Sequence, residues 1–90
     1  MDYLQDLVEK IVKGIVDKED EVTVDVEQRK HCVVVYLETS TDEVGLVIGN
    51  GGRVISGVRA MLDAFGGKHN TKVELDYVTE VDRKTHKARR

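Results

Sequence analysis

Ninety residues suffice for one domain and not for two, and a chain this short buries only about 60–65% of its unfolded surface, in a single small core. With 40% hydrophobic and 34% charged residues, it lies in the globular range, away from the low-hydrophobicity composition of disordered chains. The net charge of −3 argues against a uniformly basic nucleic-acid binder, yet that charge is divided along the chain. Residues 1–48 hold 12 acidic and 5 basic side chains (−7), residues 49–90 hold 5 and 9 (+4), and −7 + 4 gives −3. Such asymmetry is compatible with an anionic partner on one face.

Cys32 is the single cysteine, which excludes an intramolecular disulfide and any CxxC or Cys/His zinc pattern, and fits a reducing compartment. The opening Met1-Asp2-Tyr3-Leu4-Gln5-Asp6 is acidic where a signal peptide is basic, and no apolar run has the length of a membrane span. The expectation is a cytoplasmic protein with no membrane contact.

Leu4, Leu7, Val8, Ile11, Val12 and Ile15 follow i, i+3, i+4, i+7 spacing, which predicts a helix over about 3–16, with Asp2 and Gln5 as an N-terminal cap. The acidic run Asp17, Glu19, Asp20, Glu21 reads as a solvated loop. Val22, Val24 and Val26 alternate with Thr23, Asp25 and Glu27 as a half-buried strand. After the polar turn Gln28-Arg29-Lys30, the run from Cys32 to Leu37 is apolar on both faces and predicts a central strand, antiparallel to the first. Cys32 itself reads as a small packed hydrophobe rather than a nucleophile.

Ser40 and Glu43 have capping-box spacing and predict a short helix over about 41–48, with Gly49 in a left-handed C-terminal cap. Val54, Ile55, Val58, Met61, Leu62 and Phe65 form the stripe of a helix that begins at Gly52 or Arg53 and ends at Gly66-Gly67. Lys68-His69-Asn70 reads as a loop, and Val73, Leu75 and Tyr77 as a third strand. The intervening helices make a crossover long enough for parallel pairing with the second strand. The fold class is therefore α+β, in the order αββααβ, with a three-stranded mixed sheet and three helices on one face. One domain covers 1–81, and 82–90 is a basic C-terminal tail, expected to be mobile and to attract polyanions weakly.

The chain is organised around Gly49-Asn50-Gly51-Gly52, a turn between two helices. A helix interior disfavours glycine by about 1 kcal/mol relative to alanine, so this cluster marks a place that needs positive φ or close approach. A turn leading into a helix offers unpaired N–H groups and a positive dipole end, for which phosphate is the natural ligand. Arg53 adds a formal charge beside it. A Walker loop would need Gly-Lys-Ser/Thr, and a dinucleotide fingerprint a third glycine where Val54 stands.

The element order and the run Val47-Ile48-Gly49-Asn50-Gly51-Gly52-Arg53-Val54-Ile55 resemble a KH domain of the type II arrangement, whose signature is V-I-G-x-x-G-x-x-I. At this size the chain most resembles the small bacterial KhpA-type RNA-binding proteins. The resemblance implies a groove for about four nucleotides of single-stranded RNA or DNA, clamped at the Gly-x-x-Gly loop. On that reading Gly49, Asn50, Gly51 and Gly52 form the clamp and Ile48 and Ile55 anchor it. Val44, Val54 and Val58 are floor candidates, which fit a plain core equally, and the 66–70 loop is the opposite wall. The loop centre lacks the lysine or arginine frequent in this family, so charge must come from Arg53, Arg59 or Lys68. The chain carries Phe65 and three tyrosines as its only aromatics, so base stacking is not the expected mechanism.

The resemblance also implies self-association or pairing with a larger KhpB-type KH protein, for which Val34, Tyr36 and Val78 are one candidate apolar patch. The runner-up is a degenerate KH module used chiefly for protein interaction, motivated by the acidic balance and the uncharged loop centre. No cofactor, metal or small-molecule substrate is expected. His31, His69 and His86 fall in a turn, a loop and the tail, without partners at catalytic spacing.

Overall fold

The computed structural model describes residues 2–79; the expected tail at 82–90 and the end of the expected domain lie outside the described residues. Helix α1 spans Asp2–Lys13, and strands β1 (Thr23–Gln28) and β2 (Cys32–Thr39) follow. A 3-10 turn at Glu19–Glu21 lies in the acidic run between α1 and β1, and after a second at Thr41–Glu43 come α2 (Val44–Ile48), a third 3-10 turn at Asn50–Gly52, α3 (Arg53–His69) and β3 (Lys72–Thr79). This is the αββααβ order expected from the sequence.

The sheet order is β1-β2-β3, with β2 antiparallel to β1 and parallel to β3. β2 is central because Val33, Val34, Val35 and Leu37 leave it apolar on both faces. Across the register, Val24, Leu37 and Tyr77 share one row, and Val26, Val35 and Leu75 the next, all on one face. That face shares a single core with Leu4, Val8 and Val12 of α1, Val47 of α2, and Ile55, Val58 and Leu62 of α3. Each fully buried aliphatic side chain contributes about 1.5–3 kcal/mol, so the helix stripes fix the helical layer on this side. Among the described residues, no helix is long and apolar enough to cross a membrane, and no group of three or more His, Cys, Asp or Glu is arranged to hold a metal.

Four local expectations are corrected. The helix expected to reach Val16 ends at Lys13, at Gly14, although Val16 is still buried and donates back to the Val12 carbonyl. Gln5 does not cap α1: its Nε2 donates to the Val24 carbonyl at 2.7 Å, tying the helix to β1. Neither Ser40 nor Glu43 makes a helix-capping bond. Ser40 Oγ donates to Asp42 instead, and the Glu43 carboxylate accepts from the amides of Asp17 (2.8 Å) and Lys18 (3.2 Å) across the chain.

The fourth concerns α3, which runs through Gly66 and Gly67 to His69 and is capped by Asn70 at φ 57°. Asn enters this left-handed region more readily than most residues. Gly66 serves packing, since a Cβ there would run into the Thr71 carbonyl oxygen. The loop expected at 66–70 is therefore mostly the last turn of a helix.

Candidate nucleic-acid interface

The turn between α2 and α3 begins at Gly49, whose amide closes α2 by donating to the Gly45 carbonyl at 2.9 Å. Its φ of 80° and ψ of 172° lie in a region open essentially to glycine, rather than in the left-handed cap expected. Two constraints coincide here, because a Cβ would also meet Val54 Cγ2 at 2.5 Å and Val54 N at 2.8 Å. Gly51 (φ 65°) and Gly52 (φ 80°) are left-handed, but a Cβ on either would meet nothing within 4 Å. The first glycine is thus required by packing and backbone together, and the last two by backbone alone.

The amides of Gly52 and Arg53 donate to Gly49 and Asn50 carbonyls within the 3-10 turn. The amides of Gly49, Gly52 and Arg53 are thus bonded within the chain and are not among the unpaired N–H groups that such a turn was expected to offer. What the turn offers is an exposed Asn50-Gly51 tip with open space above its glycines, on which another backbone can lie. The N-terminal dipole of the 17-residue α3 points at that space.

Arg53 is exposed in the first turn of α3 and forms no ion pair among the described residues. Arg59 lies about 9 Å further along the helix, half-buried, with its guanidinium reaching the Leu75 carbonyl of β3 at 3.5 Å. Lys68 sits in the last turn, about 24 Å from Gly52 along the axis. Of the three expected cations, the structure brings only Arg53 to the turn.

The aliphatic candidates also separate. Ile55 and Val58 are core residues at 7% and 5% exposure, and Val44 and Val54 are half-buried. Ile48 is 37% exposed beside Gly49, and Leu46, not singled out from the sequence, is 47% exposed on α2. Spacing gave no signal for Leu46, because Glu43, Leu46 and Val47 stand at i, i+3 and i+4 and share a face by helical period.

Glu43 is the second residue that sequence reading missed. Buried at the start of α2, it grips the loop after α1 through the two amides already named. Beside it Lys18 Nζ and Asp42 pair at 2.7 Å. Hydrogen bonds from Lys18 and then Ser40 hold the Asp42 carboxyl below its ordinary value, and the same Asp42 bond raises Lys18. The base of α2, five residues before Gly49, is thus braced from outside its own helix.

The expected apolar patch on the helix-free sheet face is not found as such. Val34 is buried, Tyr36 and Val78 are half-buried, and the strand positions around them carry Asp25, Glu27, Glu38, Glu74 and Asp76 against Lys72. Glu27 is held below the usual carboxylate range by hydrogen bonds from Tyr36 and then Arg29, and the bond to Glu27 raises the Tyr36 phenol.

A family model described as KhpA/KhpB, KH domain, matches residues 5–76. The RNA-binding protein KhpA of Borreliella burgdorferi is 39% identical over 71 residues, covering 79% of this chain and 87% of that protein. The same-named protein of Aquifex aeolicus is 37% identical over 76 residues (84% and 96%), and that of Clostridium perfringens 32% over 75 (83% and 100%). No solved structure matches.

Proposed function

The chain belongs to the KhpA/KhpB KH-domain family, and from that premise we propose that it binds single-stranded RNA without catalysis, holding about four nucleotides against the Gly49–Gly52 turn. The observation that carries the reading is the turn itself: three positive-φ glycines between two helices, with open space beyond Gly51 and Gly52 and the guanidinium of Arg53 one residue on. An RNA backbone lies across Asn50, Gly51 and Gly52, Arg53 supplies charge to a phosphate, and Ile48 with Leu46 offers aliphatic contact to the bases. Gly49, Val54 and Ile55 shape the turn from beneath, while Arg59 and Lys68 stand too far along α3 to share the same phosphates.

The relatives' name supports RNA as the ligand class. The reading extends to a cytoplasmic RNA chaperone or post-transcriptional regulator that pairs with a second copy or with a KhpB-type KH protein. Sedimentation at micromolar concentration, alone and with such a partner, tests the pairing.

The clamp is tested by Asn50→Asp with Gly51→Asp. Both residues are exposed, and aspartate tolerates the left-handed backbone of Gly51 better than most residues. Crosslinking to RNA in cells is expected to vanish while the variant stays folded, its melting temperature lowered only by the left-handed backbone cost at Gly51. Crosslinking that persists in the folded variant removes the turn from the site and favours a module used for protein interaction.

A further inference from the structure

The buried carboxylate at the head of α2 has no part in the RNA contacts described so far. Glu43 is 7% exposed and forms no ion pair among the described residues. Its two oxygens are divided between two amides, Oε2 accepting from Asp17 at 2.8 Å and Oε1 from Lys18 at 3.2 Å. Taking a carboxylate out of water is costly, and hydrogen bonds must replace those it leaves behind. A core that needed only stability could fill the place with an aliphatic side chain. What the carboxylate adds is direction, because a bond to each oxygen fixes how α2 is turned as well as where it begins.

α2 cannot hold that direction alone. It is five residues long, too short to be stable as a helix by itself. Of its residues only Val47 is fully buried, a single apolar pivot. The Lys18–Asp42 pair beside Glu43 is exposed on both sides, and exposed pairs are individually weak. The two bonds to Glu43 are therefore the second fixed point. Leu46 and Ile48 are the exposed aliphatics of the same helix, and Ile48 stands five residues from Glu43, about 7.5 Å at helical rise. Gly49, which closes α2 through the Gly45 carbonyl, starts the turn at the next position. A rotation of α2 about Val47 would move both aliphatics and the entry to the turn together.

We propose that Glu43 is a positioning residue for RNA binding: by holding the Asp17 and Lys18 amides it sets the rotation of α2, so that Leu46, Ile48 and the start of the Gly49–Gly52 turn meet one strand. This rests on the RNA reading given above. Glu43 acts through α2 and touches no RNA itself. The loop after α1 thereby belongs to the binding apparatus through its backbone.

The test measures the affinity of the full chain for a fluorescent single-stranded RNA hexamer of random sequence, at a temperature where circular dichroism shows each variant folded. Glu43→Gln keeps the size of the side chain and one acceptor oxygen, and is expected to weaken binding by about tenfold, the scale of one hydrogen bond to a charged group. Glu43→Asp keeps the charge but draws both oxygens back by about 1.5 Å, one C–C bond. Its affinity should fall between, and it carries the test if Glu43→Gln does not fold. Val24→Ala, a truncation in the core at β1, controls for stability and should bind as the native chain does. In the RNA-free proteins the Glu43 substitutions should shift the amide signals of Leu46, Ile48 and Gly49 as well as those of Asp17 and Lys18. Shifts confined to Asp17 and Lys18, unchanged affinity in the folded Glu43 variants, or an equal loss in Val24→Ala overturns the proposal. A native chain that binds no RNA would overturn the RNA reading and the proposal with it, and is seen before any variant is made.

Discussion

Replacing Gly49 with alanine isolates the one glycine of the turn where two constraints meet. The backbone at φ 80°, ψ 172° is held by α2 on one side and the 3-10 turn on the other, and forcing a non-glycine residue there costs about 1–3 kcal/mol. The new Cβ would stand 2.5 Å from Val54 Cγ2, 2.8 Å from Val54 N and 2.9 Å from Val54 Cβ, overpacking of a kind that costs about 1–3 kcal/mol more. The sum, about 2–6 kcal/mol, lowers the melting temperature of a domain this size by about 4–8 °C per kcal/mol. Gly51→Ala meets no atom within 4 Å and carries only the left-handed backbone cost of about 1–2 kcal/mol. Urea denaturation of the two variants, with Gly49→Ala/Val54→Ala alongside, measures the difference. Truncating Val54 relieves the Cγ2 clash but neither the amide nor the Cβ contact, so rescue should be partial. Equal losses at Gly49 and Gly51, or full rescue by Val54→Ala, would refute the reasoning.

Glu43→Ala strips the acceptor from two loop amides and should cost about 2–5 kcal/mol, with faster hydrogen exchange at Asp17 and Lys18. Glu43→Gln keeps one acceptor oxygen and should fall between. Gly66→Ala drives a Cβ into the Thr71 carbonyl and should lower the melting temperature and detach β3 from α3, seen as exchange along Lys72–Thr79. Acid is expected to remove a little stability. Asp42 and Glu27 titrate lower when folded, so their contribution is present above the ordinary values of 3.8 and 4.5 and lost as pH falls through the folded ones. A melting temperature flat between neutral pH and that range, then falling below it, is the expected profile, and Asp42→Asn should flatten part of the fall.

Most of the architecture was legible because each element carried its own period. The i, i+3, i+4 stripe of α1, the alternation around Val24 and the doubly apolar run of β2 specify helix, edge strand and central strand without tertiary information. The turn was legible because three glycines in four positions disfavour a continuous helix strongly enough to break it whatever packs nearby. What escaped depended on partners distant in sequence. Ser40 and Glu43 have the spacing of a local capping box, but a cross-chain partner, the backbone at Asp17 and Lys18, won the carboxylate. Gly66 looked like a helix terminator, whereas the close approach of Thr71 is what requires it. Lys68, expected in a loop on the opposite wall, lies in the last turn of α3 because the helix runs on through Gly66 and Gly67.

Phosphate contact at the Gly49–Gly52 turn is the central claim. The most direct measurement is the affinity for a short single-stranded RNA as a function of salt, for the native chain and Arg53→Gln. With two or three phosphates contacted, the log-log slope should be about −1.4 to −2.1, and losing Arg53 should shrink it by about 0.7. A slope near zero, or one that Arg53→Gln leaves unchanged, would contradict it.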